Sequence, residues 1–273
     1  GWRLTAETLQ QACRGEGPRR RLLILNDPNN PTGLTFRAAE LERLADVARA
    51  HEVVVLSDEI YGELDHSATH HSIADFYPEG TIISAGLSKW CGAGGWRLGT
   101  FCFPSSLRWL LDAMTSVASE TYTSVSAPIQ YAAVTAYRQS AEIATYVSDA
   151  RRILRALGRS VSRRLQSAGV DVHPAEGGFY LFPDFGPRAR GVASSAEFCD
   201  RLLAETGVAL LPGSDFGRPP DEVTCRMAYV DFDGGLALAA AQRIPAQEEL
   251  SQEFAQDHCA DVLEAVDILC RWL

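Results

Sequence analysis

The sequence predicts an α/β fold with a doubly wound, mostly parallel sheet, followed by a smaller α+β domain. Three short apolar runs support the sheet: residues 22–25, 53–56 and 81–84, each ending in polar or turn residues. Apolar residues at spacings of three and four between positions 41 and 48 indicate a helix after the first run. Strands that alternate with helices form largely parallel sheets, which bind ligands at the carboxyl ends of their strands.

Other segments of the first half complete this pattern. Residues 5–14 are predicted to form a short helix with Thr5 as its N-cap. The continuous apolar run at 22–25 is typical of a strand that is buried on both faces. Residues 98–103 are predicted to form a fourth strand. One long helix is predicted for residues 141–167, because its apolar residues recur at spacings of three and four.

The pattern changes after this long helix, and the change predicts a second domain. Strands are expected at 178–182, 208–211 and 224–230, with a helix around 198–203 and a closing helix marked by Val262, Leu263, Val266 and Leu269. Residues 232–256 have no clear period. We therefore expect a large domain at residues 1–148 and a small domain at residues 149–273.

Composition narrows the class of protein. The chain has 273 residues, 46% of them hydrophobic, and a formal net charge of −10. That charge argues against a general nucleic-acid binder, and no apolar run reaches the roughly 20 residues that cross a bilayer. The seven cysteines are scattered and never spaced C-x-x-C, which favours free thiols in a reducing compartment. We expect a cytoplasmic protein that acts on small molecules, not on nucleic acid or membranes.

The stretch from Ser84 to Gly99, SAGLSKWCGAGGWRLG, carries groups with a chemical use. Lys89 follows Ser88 in the predicted turn after a buried strand, where a lysine amine can attack a carbonyl. Arg97 follows a glycine-rich run and offers a planar fork that suits a phosphate. An amine and an anion site together suggest pyridoxal phosphate, which has an aldehyde and a phosphate. The alternative is a flexible surface loop with an ordinary lysine.

Five motifs along the chain match one family. The first three are Asp27 to Gly33, a form of N-P-x-N-P-T-G with aspartate in the first position, Asp58 to Tyr61 (D-x-x-Y), and Ser88 to Gly99 (S-K-x7-R-x-G). The other two are Gly177 to Tyr180 and Pro212 to Gly217. With these motifs in this order, the chain resembles the fold type I pyridoxal-phosphate-dependent aminotransferases of class I/II, the aspartate aminotransferase-like group.

The resemblance implies an activity, a cofactor and a catalytic set. The implied enzyme moves an amino group between an L-amino acid and a 2-oxo acid, with pyridoxal 5'-phosphate held as a Schiff base on Lys89. Asp58 resembles the carboxylate that keeps the pyridine nitrogen of the cofactor protonated, and Tyr61 resembles a donor to its phenolic oxygen. Lys89 is also the implied base for the proton shift.

Further binding residues follow from the same resemblance. Arg97 resembles the phosphate-binding arginine, and Ser88 is assigned to the cofactor site beside the lysine. Asn30 resembles a donor to the ring oxygen of the cofactor that also touches the substrate carboxylate. Arg226 resembles the arginine that grips this carboxylate with a bidentate fork.

Several alternatives remain open. Some relatives have a phosphate-binding serine where this chain has Gly86, so Ser84 or Ser88 substitutes for it or the contact is absent. A β-eliminating lyase on the same scaffold would use the same residues, and an inactive remnant would keep only the fold. His66, His70 and His71 share one loop with Asp65 and Asp75. We expect a solvated loop there and no metal site.

The resemblance also implies that the family's N-terminal part is missing. The N-P-x-N-P-T-G match begins at residue 27, whereas relatives carry a long segment before this point. We therefore expect residues 1–273 to be the C-terminal part of a longer protein, or to need another chain. Alone, they should bind pyridoxal phosphate weakly. The relatives are dimers, so the full-length form is expected to be a homodimer.

Overall fold

The computed structural model describes residues 3–14, 20–186, 188–189 and 191–273. These residues fall into two compact units. Unit 1 takes its residues from Gly1–Pro28 and Thr35–Val147, and unit 2 from Asn29–Leu34 and Ser148–Leu273. Residues 1–2 and 15–19 of the predicted large domain, and residues 187 and 190 of the predicted small one, lie outside the described residues.

Unit 1 contains a four-stranded sheet in which the strands follow chain order. Its strands are β1 (Arg21–Asn26), β2 (Val53–Asp58), β3 (Thr81–Gly86) and β4 (Gly99–Cys102). The pairs β1–β2 and β2–β3 are parallel, and β4 runs antiparallel to β3. Three of the four strands therefore have their carboxyl ends at one edge. This confirms the predicted α/β fold with a mostly parallel sheet.

Helices α1 (Ala6–Cys13) and α2 (Ala38–Ala50) pack with β1 and β2 in the core of unit 1. The predicted cap is confirmed, because the Thr5 side chain accepts a hydrogen bond from the Thr8 amide. The prediction that β1 is buried on both faces is wrong. Leu22 and Ile24 are 60% and 64% exposed. Side chains alternate along a strand, and the core that includes α1 and α2 takes up only the Leu23 and Leu25 face.

Three helices follow β4 in the chain: α3 (Arg108–Thr121), α4 (Ala127–Tyr137) and α5 (Ala141–Ser167). The first two lie in unit 1, and α5 begins there and continues into unit 2. The long helix α5 confirms the prediction for residues 141–167. The sequence pattern did not predict α3 or α4. In α4 only Gln130 and Thr135 interrupt the apolar and small residues that follow Pro128, so no single apolar stripe marks the helix.

Unit 2 has a small antiparallel sheet in the order β5 (Tyr180–Leu181), β7 (Cys225–Ala228), β6 (Leu211–Pro212). These strands are shorter than the sequence predicts. Helix α6 (Ser195–Thr206) and the closing helix α9 (Ala260–Trp272) match their predictions. The aperiodic segment from 232 to 256 holds α7 (Gly234–Ala241) and the start of α8 (Gln252–His258).

Aromatic rings and buried thiols fill the interior of unit 2. The Phe198 ring stacks on Phe185 at 4.8 Å between centroids and meets Trp272 edge-on at 5.3 Å. All seven cysteines of the chain are free thiols.

Among the described helices, none combines the length and the apolar character needed to cross a membrane.

Asp27, the first residue of the turn after β1, is a buried carboxyl group. It is 2% exposed, and its Oδ1 accepts a hydrogen bond from the Phe36 amide at 3.2 Å. Burial raises the pKa of Asp27 to about 7, opposed by the positive charge of His70 and by the Phe36 bond. The carboxylates of Asp65 and Glu59 raise this pKa further. At neutral pH, the folded protein therefore carries a carboxyl group that resists ionisation.

Replacing Asp27 with asparagine should stabilise unit 1, and more so at alkaline pH. The folded pKa of about 7 lies above the ordinary 3.8, so the folded state binds the extra proton between these values. In the wild type, the stabilisation that this group provides is greatest when the pH is below the ordinary pKa. It falls as the pH rises to the folded-state pKa. We expect the gain from Asp27→Asn to grow by roughly 2–3 kcal/mol between about pH 5 and about pH 8.

Urea unfolding at both pH values measures this gain. The control is Asp112→Asn, which removes an exposed carboxylate of α3 and should change stability equally at the two pH values. A gain from Asp27→Asn that does not depend on pH would contradict the assignment of a raised pKa to this group.

Candidate active site

Asp58 is the last residue of β2 and lies opposite Asn26 in the parallel register. The Asn26 amide nitrogen donates to the Asp58 carboxylate at 3.2 Å and to its backbone carbonyl at 3.0 Å. Burial raises the pKa of Asp58, the Ile60 amide opposes this rise, and the nearby Glu59 carboxylate adds to it. Asp58 is therefore a half-buried carboxyl group that holds a proton more tightly than a free aspartate.

Tyr61 and Lys89, which are distant in sequence, meet in unit 1. Tyr61 is buried and begins the short helical turn Gly62–Leu64 after β2. Lys89 lies in the turn that leaves β3 and is half-buried. Its Nζ is 5.7 Å from the centroid of the Tyr61 ring. The parallel strands β2 and β3 thus bring the D-x-x-Y and S-K motifs together at their carboxyl ends.

The glycine-rich run after Lys89 folds into a tight turn that Arg97 closes. Gly92 has a φ of 63°, which lies in the left-handed region, and Arg97 has a φ of 56° there as well. The exposed Arg97 side chain donates from Nη1 to the Gly94 carbonyl at 2.8 Å. Left-handed backbone is uncommon for residues other than glycine and is held by its surroundings. This turn places the Arg97 guanidinium on the surface of unit 1.

Gly86 has no space for the serine that some relatives have at its position. A Cβ atom there would lie 2.8 Å from the Leu98 carbonyl oxygen and 3.0 Å from Cδ1 of Ile60. The close approach of β4, where Gly99 pairs with Gly86, excludes a side chain. Ser88 is half-buried in the lysine turn, and its assignment to the cofactor stays a prediction.

Asn30 and Arg226 meet in unit 2. Arg226 lies on β7, and its Nη1 donates to the Asn30 side-chain oxygen at 2.9 Å. The Arg226 guanidinium carbon lies 4.6 Å from the Tyr180 ring centroid and 5.0 Å from that of Phe216. Cations over aromatic faces are attracted by the ring quadrupole. Sequence reasoning missed these two rings as supports for Arg226, although both lie in the quoted small-domain motifs.

The turn that carries Asn30 is tied to unit 2 by its backbone. The Gly33 amide donates to the Asn29 carbonyl at 2.8 Å, and the Glu176 amide donates to the Gly33 carbonyl at 2.7 Å. Gly33 has a φ of 69°, and a side chain there would collide with the Tyr180 carbonyl oxygen. Only glycine satisfies both constraints. The turn therefore presents Asn30 to Arg226 from a fixed backbone.

The histidine-containing loop of unit 1 differs from expectation. We expected a solvated loop; His71 and Asp75 are indeed exposed, but Asp65 and His66 are buried. His70 forms a hydrogen bond from its Nε2 to Glu59 at 3.3 Å. Asp65 directly follows the short helical turn Gly62–Leu64, in which Gly62 and Leu64 are buried too. Across the ranges that the structure describes, no group of three or more His, Cys, Asp or Glu residues is arranged to hold a metal.

Comparison with known proteins gives a consistent result. The family model described as "Aminotransferase class I and II" matches residues 1–231. The aspartate aminotransferase of Geobacillus stearothermophilus is 37% identical over 234 residues, which are 84% of this chain and 57% of that protein. The aspartate/prephenate aminotransferase of Thermus thermophilus is 35% identical over 207 residues, 76% of this chain and 52% of that protein.

Solved structures agree with these sequence matches. The Thermus thermophilus aspartate aminotransferase with maleate has a TM-score of 0.79 at 28% identity, covering 99% of this chain and 60% of that chain. The chain thus spans between half and two thirds of the length of these relatives. The matched region includes all five motifs quoted from the sequence. The chain therefore belongs to the class I and II aminotransferases, the fold type I group whose aspartate aminotransferase-like members use pyridoxal phosphate.

Proposed function

We propose that this chain is part of a pyridoxal-phosphate-dependent aminotransferase that moves an amino group between an L-amino acid and a 2-oxo acid. The observation that carries the proposal is the proximity of Lys89 to Tyr61, in the same unit as the half-buried carboxyl group of Asp58. Lys89 is also the sole lysine in the 273-residue sequence. The one lysine amine of these residues thus lies in the S-K motif.

The groups in unit 1 fit the chemistry of pyridoxal phosphate. Lys89 offers an amine for the aldehyde, and Arg97 offers a guanidinium for the phosphate. Asp58 suits the pyridine nitrogen, because a carboxylate pairs with the protonated ring nitrogen and stabilises its positive charge. The Tyr61 hydroxyl is a donor that suits a phenolate oxygen. We assign cofactor binding to the predicted domain at residues 1–148.

Each residue has a defined task in this proposal. Bound pyridoxal phosphate supplies an aldehyde that combines with amines and a ring that accepts negative charge from the substrate's α-carbon. The Lys89 Nζ would hold the cofactor and, as a free amine, would remove the proton from the substrate's α-carbon as a general base. Asp58 holds a proton at the pyridine nitrogen, and Tyr61 donates a hydrogen bond from its Oη.

We assign substrate binding to the predicted domain at residues 149–273 and to the turn that carries Asn30. The Arg226 guanidinium offers two parallel N–H donors to a carboxylate, and the Asn30 amide adds a further donor. The names of similar proteins include aspartate, aspartate/prephenate and aromatic-amino-acid aminotransferases. Aspartate and an aromatic amino acid are therefore the first donors to assay. We further propose a homodimer in the cytoplasm, on the resemblance and the free thiols.

Trapping the cofactor on its lysine tests the central assignment. Borohydride reduction of the natural full-length protein with pyridoxal phosphate, followed by peptide mapping, should place the label on Lys89, the one lysine of residues 1–273. Lys89→Ala should lose the label, the visible absorption of the bound cofactor and turnover, yet unfold at the temperature of the cofactor-free wild type. Lys89→Arg is the control, because it keeps the charge without a nucleophilic amine. Label on wild-type protein but not on Lys89 would refute the proposal.

Asp58→Asn should keep the cofactor but slow transamination. An amide cannot hold the proton at the pyridine nitrogen as a carboxylate does, and loss of such electrostatic stabilisation typically costs on the order of 10²–10³ in rate. Steady-state turnover and cofactor titration measure the two effects separately. Asp112→Asn, on the surface of α3, controls for the loss of one negative charge. Wild-type turnover in Asp58→Asn would make Asp58 a structural residue.

Arg226→Lys should raise the KM for amino acids more than it weakens cofactor binding. Lysine replaces a planar fork over two aromatic rings with a point charge. A hydrogen bond to a charged group is worth roughly 1.5–3 kcal/mol, so KM should rise by about 10- to 100-fold. Arg159→Lys, at an exposed ion pair with Glu249, is the matched control. Equal losses of substrate and cofactor affinity would assign Arg226 to the fold rather than to substrate.

A further inference from the structure

Glu59, which follows Asp58, is held by three side chains. Its carboxylate is 12% exposed. Its Oε1 accepts hydrogen bonds from the Ser57 hydroxyl at 2.8 Å and from the Ser72 hydroxyl at 2.5 Å, and its Oε2 bonds to the His70 Nε2 at 3.3 Å. These donors come from β2 and from the loop after it. A buried carboxylate with this many donors has one favoured position.

The electrostatics of this group favour a charged pair. Burial alone would raise the pKa of Glu59, but hydrogen bonds from His70, Ser72 and Ser57 outweigh it and lower that pKa. Burial likewise opposes the charge on His70, yet the Glu59 hydrogen bond and the carboxylates of Asp27, Glu59 and Asp65 raise the pKa of His70. His70 and Glu59 thus favour each other's ionised form.

The backbone of the turn is held at the same place. The Glu59 amide donates to the Ser84 carbonyl of β3 at 2.8 Å, and the Glu59 carbonyl accepts from the Gly62 amide at 2.8 Å. A Cβ atom at Gly62 would lie 3.0 Å from the His70 ring, so the imidazole packs closely on this backbone. Asp58 and Tyr61 stand one and two residues away from Glu59. Every restraint on Glu59 therefore also restrains the two candidate catalytic residues.

We propose that Glu59, clamped by Ser57, His70 and Ser72, is a positioning residue that orients Asp58 and Tyr61 toward the cofactor. The inference rests on the proposed function of this site. Glu59 touches neither substrate nor cofactor in this role. It acts by fixing the turn, and its charge adds to the negative potential at Asp58. Outer groups that orient a ligand-holding side chain affect binding strongly even though they make no contact themselves.

The test compares two buried serines whose hydroxyl groups donate to different acceptors. Ser57 and Ser162 are both buried, and each donates one hydrogen bond of 2.8 Å. Ser57 donates to Glu59, whereas Ser162 donates to the Gly158 carbonyl within α5. The variants Ser57→Ala and Ser162→Ala are made in the natural full-length protein. Affinity for pyridoxal phosphate, the absorption maximum of the bound cofactor and the unfolding temperature are then measured.

We expect both alanine variants to lower the unfolding temperature of the cofactor-free protein, and Ser57→Ala to lower it more because it removes a donor to a charged group. Ser57→Ala should also weaken cofactor affinity by about tenfold, as loss of an outer hydrogen-bond partner does at other ligand sites, and shift the absorption maximum. Ser162→Ala should leave affinity and spectrum as in the wild type. A second pair checks the histidine: His70→Leu should resemble Ser57→Ala, and His70→Gln, which keeps an N–H donor, should restore affinity.

Three results would overturn the inference. One is an unchanged affinity and spectrum in Ser57→Ala beside a lowered unfolding temperature, because Glu59 would then only stabilise the fold. Another is an equal loss of affinity in Ser162→Ala, since the effect would not be specific to the clamp. The third is a wild-type protein that does not bind pyridoxal phosphate, which would refute the proposed function at the same time. The first two leave the proposed function intact.

Discussion

The hydrogen-bond register of β1, β2 and β3 is the constraint on which the candidate site depends. Parallel pairing sets Asn26 beside Asp58 and Asp58 beside Ser84, so the turns after these strands leave the sheet at one edge. A shift of one residue would move every side chain of the shifted strand to the opposite face. The register thus places the turns that carry Asp58, Tyr61 and Lys89 after neighbouring strand ends at the same edge of the sheet.

Burial at this edge couples the charges of its polar groups. Asp27, Asp58 and Glu59 lie within a few residues of two neighbouring strand ends, where the low dielectric strengthens every interaction between charges. Asp27 and Asp58 have raised pKa values, while donors from three side chains lower the pKa of Glu59. Carboxyl groups at this edge therefore differ in how readily they ionise, because burial and hydrogen-bond donors act on them to different extents. Such a difference is what proton chemistry at a single site requires.

In unit 2, one arginine side chain is held in place by its neighbours. Arg226 lies on the central strand of a small sheet, and two aromatic rings and the Asn30 side chain fix its position. Ordering a long side chain before it binds reduces the entropy lost on binding. The turn from Asn29 to Leu34 belongs to this unit although its neighbours in sequence belong to the other. The residues of the N-P-x-N-P-T-G motif are therefore divided between the two units.

The sequence by itself determined the strands, the long helix and the motif residues, because apolar runs and short fixed spacings are local signals. Through motifs that resemble one family, it also named Lys89, Asp58 and Arg226 as candidate site residues. Only the tertiary structure decided that one face of β1 is exposed at Leu22 and Ile24, and that Tyr180 and Phe216 flank Arg226. The hydrogen bonds that clamp Glu59 could not be predicted either, because Ser72 is thirteen positions away in the sequence. Contacts between distant residues depend on how elements pack, and no local period encodes that packing.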